Sequence, residues 1–451
     1  MKTKILLWSV VSIFILGLAA GAFWWLSRPQ VITFGDDAKV TLLAVQYGKR
    51  HAPPTVKAST TSGAKAAPRR GGSFTTTNDT LVLWVRQQYD ASDNQYHSFQ
   101  YYVYDKANTA CVQTYARNSA GNNRRGNEVM AVQFDAFPRR QGKFIVRVQE
   151  QGNSGQEMSD QKFVISNPVR EAFTKWTAES LPSTKEDDDL SVTLKKLTTG
   201  AHLAITRIQE DPDDPANKGA EAVFHVERNG KPVSNWEPVS VETSDATGNQ
   251  LTVNKVNQNG WQNGWAQNAW ANDEDKFAYQ YALWPDEPAW KLKVEFSQQS
   301  DFSPGETWTT RNVPVQPGRQ QDFLNFGGRP QATNSTAAAE ADLNGFHLKV
   351  FPARQFTDVA PNNWLQGGLI VQVSPDVSKG YRLNVKVTDD QNNEIQMSDY
   401  GTTRNNNLAT YRYRLQDING LTNLNVVVAI HKSRFVEFTA KPTRQETSNN
   451  N

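Results

Sequence analysis

The sequence predicts an all-β protein: an N-terminal transmembrane helix followed by about three immunoglobulin-like β-sandwich domains. Three observations predict it. Short segments with period-2 alternation of apolar and polar residues recur along the chain, separated by Asn, Asp, Gly and Pro. Their turn signals fall every ~8–12 residues, as in a sandwich whose sheets each keep one wet face. Residues 5–27, ILLWSVVSIFILGLAAGAFWWLS, carry no charge. As a helix rising ~1.5 Å per residue they span roughly 34 Å, enough for a hydrocarbon core of ~30 Å.

Residues 1–28 therefore read as a cytoplasmic stub and transmembrane anchor. Ala20-Gly21-Ala22 resembles a signal-peptide cleavage site, but the apolar run continues through Phe23–Leu26. Trp24 and Trp25 sit where an aromatic belt meets the interface, and Arg28 closes the span, so retention is expected over cleavage after Ala22. Lys2 and Lys4 hold the N-terminus in the cytoplasm and place the bulk of the chain outside. The expected location is the cell membrane, single-pass, with the bilayer as the partner of residues 5–27.

Residues 29–78 read as a juxtamembrane hairpin, VITF and VTLLAVQYG around GDDAK, then a basic flexible linker rich in Pro, Ser, Thr and Ala. Residues 1–78 hold ten Lys or Arg against two Asp or Glu, whereas the rest holds 38 against 44. Lys49, Arg50, Lys57, Lys65, Arg69 and Arg70 could meet anionic headgroups or envelope polysaccharide, but a solvated, flexible linker is the favoured reading of them. Nucleic acid is excluded as a partner by the expected location and the slightly acidic remainder.

Residues 79–168 form the first sandwich, in which Phe144, Val146 and Val148 alternate with Ile145, Arg147 and Gln149. Residues 169–320 form a connector with one or two helical turns and a Trp-rich second sandwich. A linker at 321–342, a third sandwich at 343–443 and a disordered tail at 444–451 follow. The single cysteine, Cys111, excludes an intrachain disulfide and reads as a packed strand residue.

The stretches VTLLAVQYGKRH, NWEPVSVETSDATGN, LWPDEPAWKLKVEF and VVVAIHKSRFVEF resemble segments of uncharacterised bacterial proteins with an N-terminal membrane anchor and large extracytoplasmic β-rich regions. The resemblance covers most of the chain beyond the anchor. It implies topology and fold, and no assigned activity.

Motifs of catalysis are missing: the sequence has no G-x-S-x-G, H-E-x-x-H, phosphate loop or G-x-G-x-x-G. His51, His97, His202, His225, His347 and His431 are scattered without a close metal-ligand spacing, and read as ordinary strand residues. Glu186–Asp189 and the cluster from Glu210 to Asp214 lack the spacing of a calcium loop and read as solvated acidic loops. No metal and no cofactor is expected.

The sharpest anomaly is NQNGWQNGWAQNAWAND, in which Trp261, Trp265 and Trp270 stand among Asn and Gln. Flat apolar rings beside amides suit sugars or a protein partner, while packing against the sandwich is the simpler role. The expectation is a structural, adhesion or interaction protein without catalytic activity. The alternatives are a carbohydrate-binding module centred on these Trp residues and, further off, a sandwich-fold hydrolase.

Overall fold

In a computed structural model the regular elements among the described residues are almost all strands. The structure describes residues 30–34, 38–54, 73–89, 98–104, 110–112, 115–122, 127–151, 157–169, 171–202, 218–254, 266–267, 275–279, 283–324, 336–359, 366–377, 380–405 and 407–444. The predicted anchor lies outside them; among the described residues no helix is long and apolar enough to cross a membrane. Two compact units emerge: Met1–Thr174 with Thr247–Asn249, and Lys175–Ala246 with Gln250–Asn451.

The first unit contains β1 (Val31–Phe34), β2 (Ala38–His51), β3 (Phe74–Gln88), β4 (Ser98–Tyr104) and β5 (Ala110–Val112). After them come β6 (Tyr115–Asn122), β7 (Asn127–Phe134), β8 (Lys143–Gln151) and β9 (Glu157–Ser166). They make two sheets, β1-β2-β3-β7-β6 and β5-β4-β8-β9, with every neighbouring pair antiparallel. The hairpin expected beside the membrane is thus the first pair of strands of this unit. Its alternating apolar residues Phe34, Ala38, Val40 and Leu42 are buried, and Phe34 meets Phe99 of β4 with ring centres 5.3 Å apart. Gln30 closes the far edge: its amide donates to Val164 O at 2.9 Å and accepts from Val164 N at 3.2 Å, extending the ladder of β9 by one side chain.

β3 is buried on both faces from Leu81 to Val85. The cause is a two-stranded ribbon, Arg50↔Thr75 and His51↔Phe74, which bends at Gly48 (φ 126°). Phe74 comes to 6.2 Å from Trp84, whose indole donates to Gln46 Oε1 at 3.0 Å. Gln46 also holds Ala52 through both backbone groups. The ribbon therefore roofs the outer face of its own sheet.

Residues 171–178, where one or two helical turns were expected, are irregular, and the second unit begins within them at Lys175. Here the chain is held by tertiary contacts: Glu179 bridges to Ala440, and Lys291 lies over the Trp176 ring at 5.4 Å. The strands that follow are β10 (Ser183–Asp187), β11 (Leu190–His202), β12 (Lys218–Arg228), β13 (Lys231–Pro232) and β14 (Trp236–Asp245). Next are β15 (Gln250–Asn254), β16 (Ala266–Gln267), β17 (Asp275–Tyr279), β18 (Trp290–Gln298) and β19 (Thr307–Gly318). A one-turn helix α1 (Gln320–Leu324) precedes β20 (Ala339–Leu343), β21 (Phe346–Val350), β22 (Ala353–Phe356) and β23 (Gly367–Ser374). The chain then runs through β24 (Tyr381–Thr388), β25 (Met397–Asn405), β26 (Leu408–Leu415) and β27 (Asn423–Lys432) to β28 (Arg434–Ala440) and β29 (Thr443–Arg444).

One sandwich pairs the sheet β10-β11-β12-β17-β16 with β15-β14-β18-β28, and Phe224 of β12 touches both Phe296 of β18 and Phe438 of β28 across it. The other encloses a core shared by Leu348 and Val350 of β21, Leu369 and Val371 of β23, and Val426, Val428 and Ile430 of β27. Strands are exchanged between the two. β19, read with the second sandwich, pairs with β27 and, in parallel, with β22. β28, read with the third, pairs with β18 from Trp290↔Ala440 to Phe296↔Arg434. The expected linker at 321–342 is partly ordered, because Phe323 of α1 packs on Phe356 and Ile370.

Candidate functional site

Trp261, Trp265 and Trp270 lie outside the described residues, as do Trp24, Trp25 and Arg28. Part of the Trp-rich block is nevertheless visible: Trp236, Trp284 and Trp290 are buried, and the Trp290 indole donates to Trp284 O at 3.1 Å. These three tryptophans are core.

The acidic run Glu186–Asp189 sits at the β10–β11 turn with arginines against it. Arg228 Nε donates to Asp189 at 2.5 Å, and Arg434 reaches Asp188 and Asp189 at 3.3 and 3.2 Å. The hydrogen bond from Arg228 holds the Asp189 carboxyl below the usual range. The second cluster, Glu210 to Asp214, lies outside the described residues.

His225 faces Glu227 at 3.2 Å, and His347 stands in an exposed row with Glu340, Asp342 and Lys349. His51 is buried under the ribbon, 3.2 Å from Thr80 Oγ1, and burial lowers its pKa. A cavity of about 290 Å³ opens there between Arg50, His51, Ser73 and Phe74.

The most developed polar cluster lies in the second unit, where β18 and β28 meet β24 and β27. On β18 the inward residues Leu292, Val294 and Phe296 alternate with Lys293, Glu295 and Ser297. Lys293 is exposed, whereas Glu295 and Ser297 are buried. On β27 the face opposite the core carries Val427, Ala429 and His431, a largely apolar row that signals cover on both sides. Arg382 of β24 grips Glu295 in a two-pronged pair, Nε to Oε1 at 2.7 Å and a terminal nitrogen to Oε2 at 2.5 Å. Ser433, between β27 and β28, donates to the same carboxylate at 2.7 Å.

One strand turn away, His431 is 1% exposed and Ser297 2%. Ser297 Oγ lies 3.2 Å from His431 Nε2, a spacing that would suit a nucleophile and its base. The Asn384 amide, 3.3 Å away, points its NH2 at the same Nε2, and Phe302 covers the ring with centres 5.0 Å apart. Nε2 thus has both Asn384 and Ser297 against it, and Ser297 is enclosed. Burial lowers the His431 pKa most; Glu306, the Lys432 backbone and Glu295 act to raise it, and Arg382 to lower it. The arrangement is that of a neutral, packed joint.

These partners were not singled out from sequence. Their signal was present: polar residues on the second face of strands whose neighbours on that face, Val427 and Ala429, are apolar. No protein-family model matches the chain, and no curated protein matches it.

Proposed function

We propose that the chain is a single-pass, membrane-anchored extracytoplasmic protein of immunoglobulin-like sandwiches that acts in structure, adhesion or interaction and not in catalysis. The observation that carries this reading is the uncharged run from Ile5 to Ser27, behind Lys2 and Lys4 and ahead of an all-β chain. The occupied polar clusters support it: Glu295 is held by Arg382 and Ser433, and Asp189 by Arg228 and Arg434. Such groups rigidify a scaffold and leave little spare valence for a substrate. The bilayer is the partner of residues 5–27, and the basic stretch around residues 49–70 is the segment placed to meet anionic headgroups or envelope polysaccharide. Carbonate-washed membranes should retain the full-length protein, with protease digesting the β-rich part from the outer side only. A soluble product beginning at Phe23 would overturn the anchor.

A further inference from the structure

The joint between β18 and the β24–β27 pair is built on one proton state of one residue. Asn384 Nδ2 carries hydrogens only, so its 3.3 Å approach to His431 Nε2 is a hydrogen bond while that nitrogen holds a lone pair. The amide is not at liberty to turn over, because the same Nδ2 donates to Gln298 O at 3.3 Å; a flip would set oxygen against oxygen. In the tautomer with its proton on Nδ1, His431 accepts from Asn384 at Nε2. A second proton, on Nε2, would end the Asn384 contact and leave Ser297 Oγ, 3.2 Å away, as the acceptor facing that nitrogen.

We propose that His431 is an acid-sensitive latch: neutral, it accepts from Asn384 and seats β24 and β27 on β18, and on protonation that contact is lost and the two sandwiches of this unit loosen from each other.

The charged groups around it do not reverse this. Glu295 of β18 is already taken by Arg382 and Ser433, and Arg382 of β24 is itself a cation. Glu306, from the turn before β19, is bonded to Ser303 and favours the imidazolium from a distance. Burial outweighs it, and the folded-state pKa lies below the ordinary value of 6.5. The sign follows. As pH falls below 6.5 the unfolded chain takes up the proton first, so the contribution of this joint is complete above 6.5 and is lost as pH falls towards the folded pKa.

The test is hydrogen exchange of the full chain in detergent at pH 7.5 and 5.0, with rates divided by the intrinsic rate at each pH. Protection of β24 and β27 should drop by ~10-fold for each unit separating the two pKa values. His431→Gln, whose carbonyl accepts from Asn384 and does not titrate, should remove that drop. Retention of the full drop in His431→Gln would overturn the proposal. Should this variant fail to fold, Asn384→Asp decides: a carboxylate there favours the imidazolium, so protection of β24 and β27 should rise on acidification. A fall equal to that of the wild type would overturn the latch. So would a His431 titration, followed by NMR, at or above 6.5.

Discussion

Glu295 and Glu394 show how much the surroundings of one residue type decide. Glu295 is buried, doubly bonded to Arg382 and bonded to Ser433, whereas Glu394 faces Lys386 with both side chains more than half exposed. Glu295→Ala should cost roughly 1.5–3 kcal/mol, the range for hydrogen bonds to a charged group. Glu394→Ala should cost less than ~1 kcal/mol, since water already screens that pair. Urea melts of the two variants check the ordering. Trp290→Ala, at a fully buried position, should cost ~3–5 kcal/mol by the same measurement. Sequence patterning set Val146 and Val148 on one face of a strand, and that face is buried, because alternation alone determines it. It did not find Glu295, because what buries that face is a strand about 90 residues further along the chain, Arg382 lying 87 positions away.

At the scale of elements, Gly367 and Gly368 at the start of β23 make neighbouring but unequal demands. A Cβ on Gly368 would come 2.5 Å from the Phe323 ring, which can swing away and take α1 with it. A Cβ on Gly367 would come 2.5 Å from the Arg354 backbone oxygen in the partner strand β22, which has no such freedom. Gly367→Ala should therefore lower the melting temperature more than Gly368→Ala, and Gly368→Ala should instead open α1, Gln320–Leu324, to protease. The β10–β11 turn carries its own prediction. Its Asp188 and Asp189 carboxylates are bonded to Arg228 and Arg434, so chelator should leave the melting temperature unchanged. A calcium ion held at 100 times its dissociation constant would contribute about 2.7 kcal/mol, and a shift of several degrees on chelation would expose it. Strand identities were largely legible from alternation. Strand partners were not, because an alternating segment such as FVEFTA states which face is apolar and is silent about which sheet it joins.

For the molecule as a whole, acid works through groups of opposite sign. His51 and His431 are both lowered by burial, so each withdraws stability as pH falls below 6.5. Asp399, raised by burial, acts the other way: the folded state binds its proton more tightly, and stability is gained as pH falls from its folded pKa towards 3.8. Thermal melts from pH 7.5 to 5 should thus show a steady loss that His51→Gln and His431→Gln each reduce in part. The all-β class was legible because it rests on local periodicity, whereas the packed joint depends on contacts between distant strands. That distance bears on how the chain is made. Val436, Phe438 and Ala440 complete the core wall beside β18, yet Ser433 stands 138 positions beyond Glu295. A ribosome delivers the N-terminal strands of the second sandwich long before the strand that finishes them, and closing so long a loop is slow. β27 ends at Lys432 and β28 starts at Arg434, so both sandwiches of this unit receive their closing strand at the end of synthesis, and the edge of β18 stays bare until then. A chain halted before Arg434 should therefore be aggregation-prone at an internal sheet edge and not at its own end.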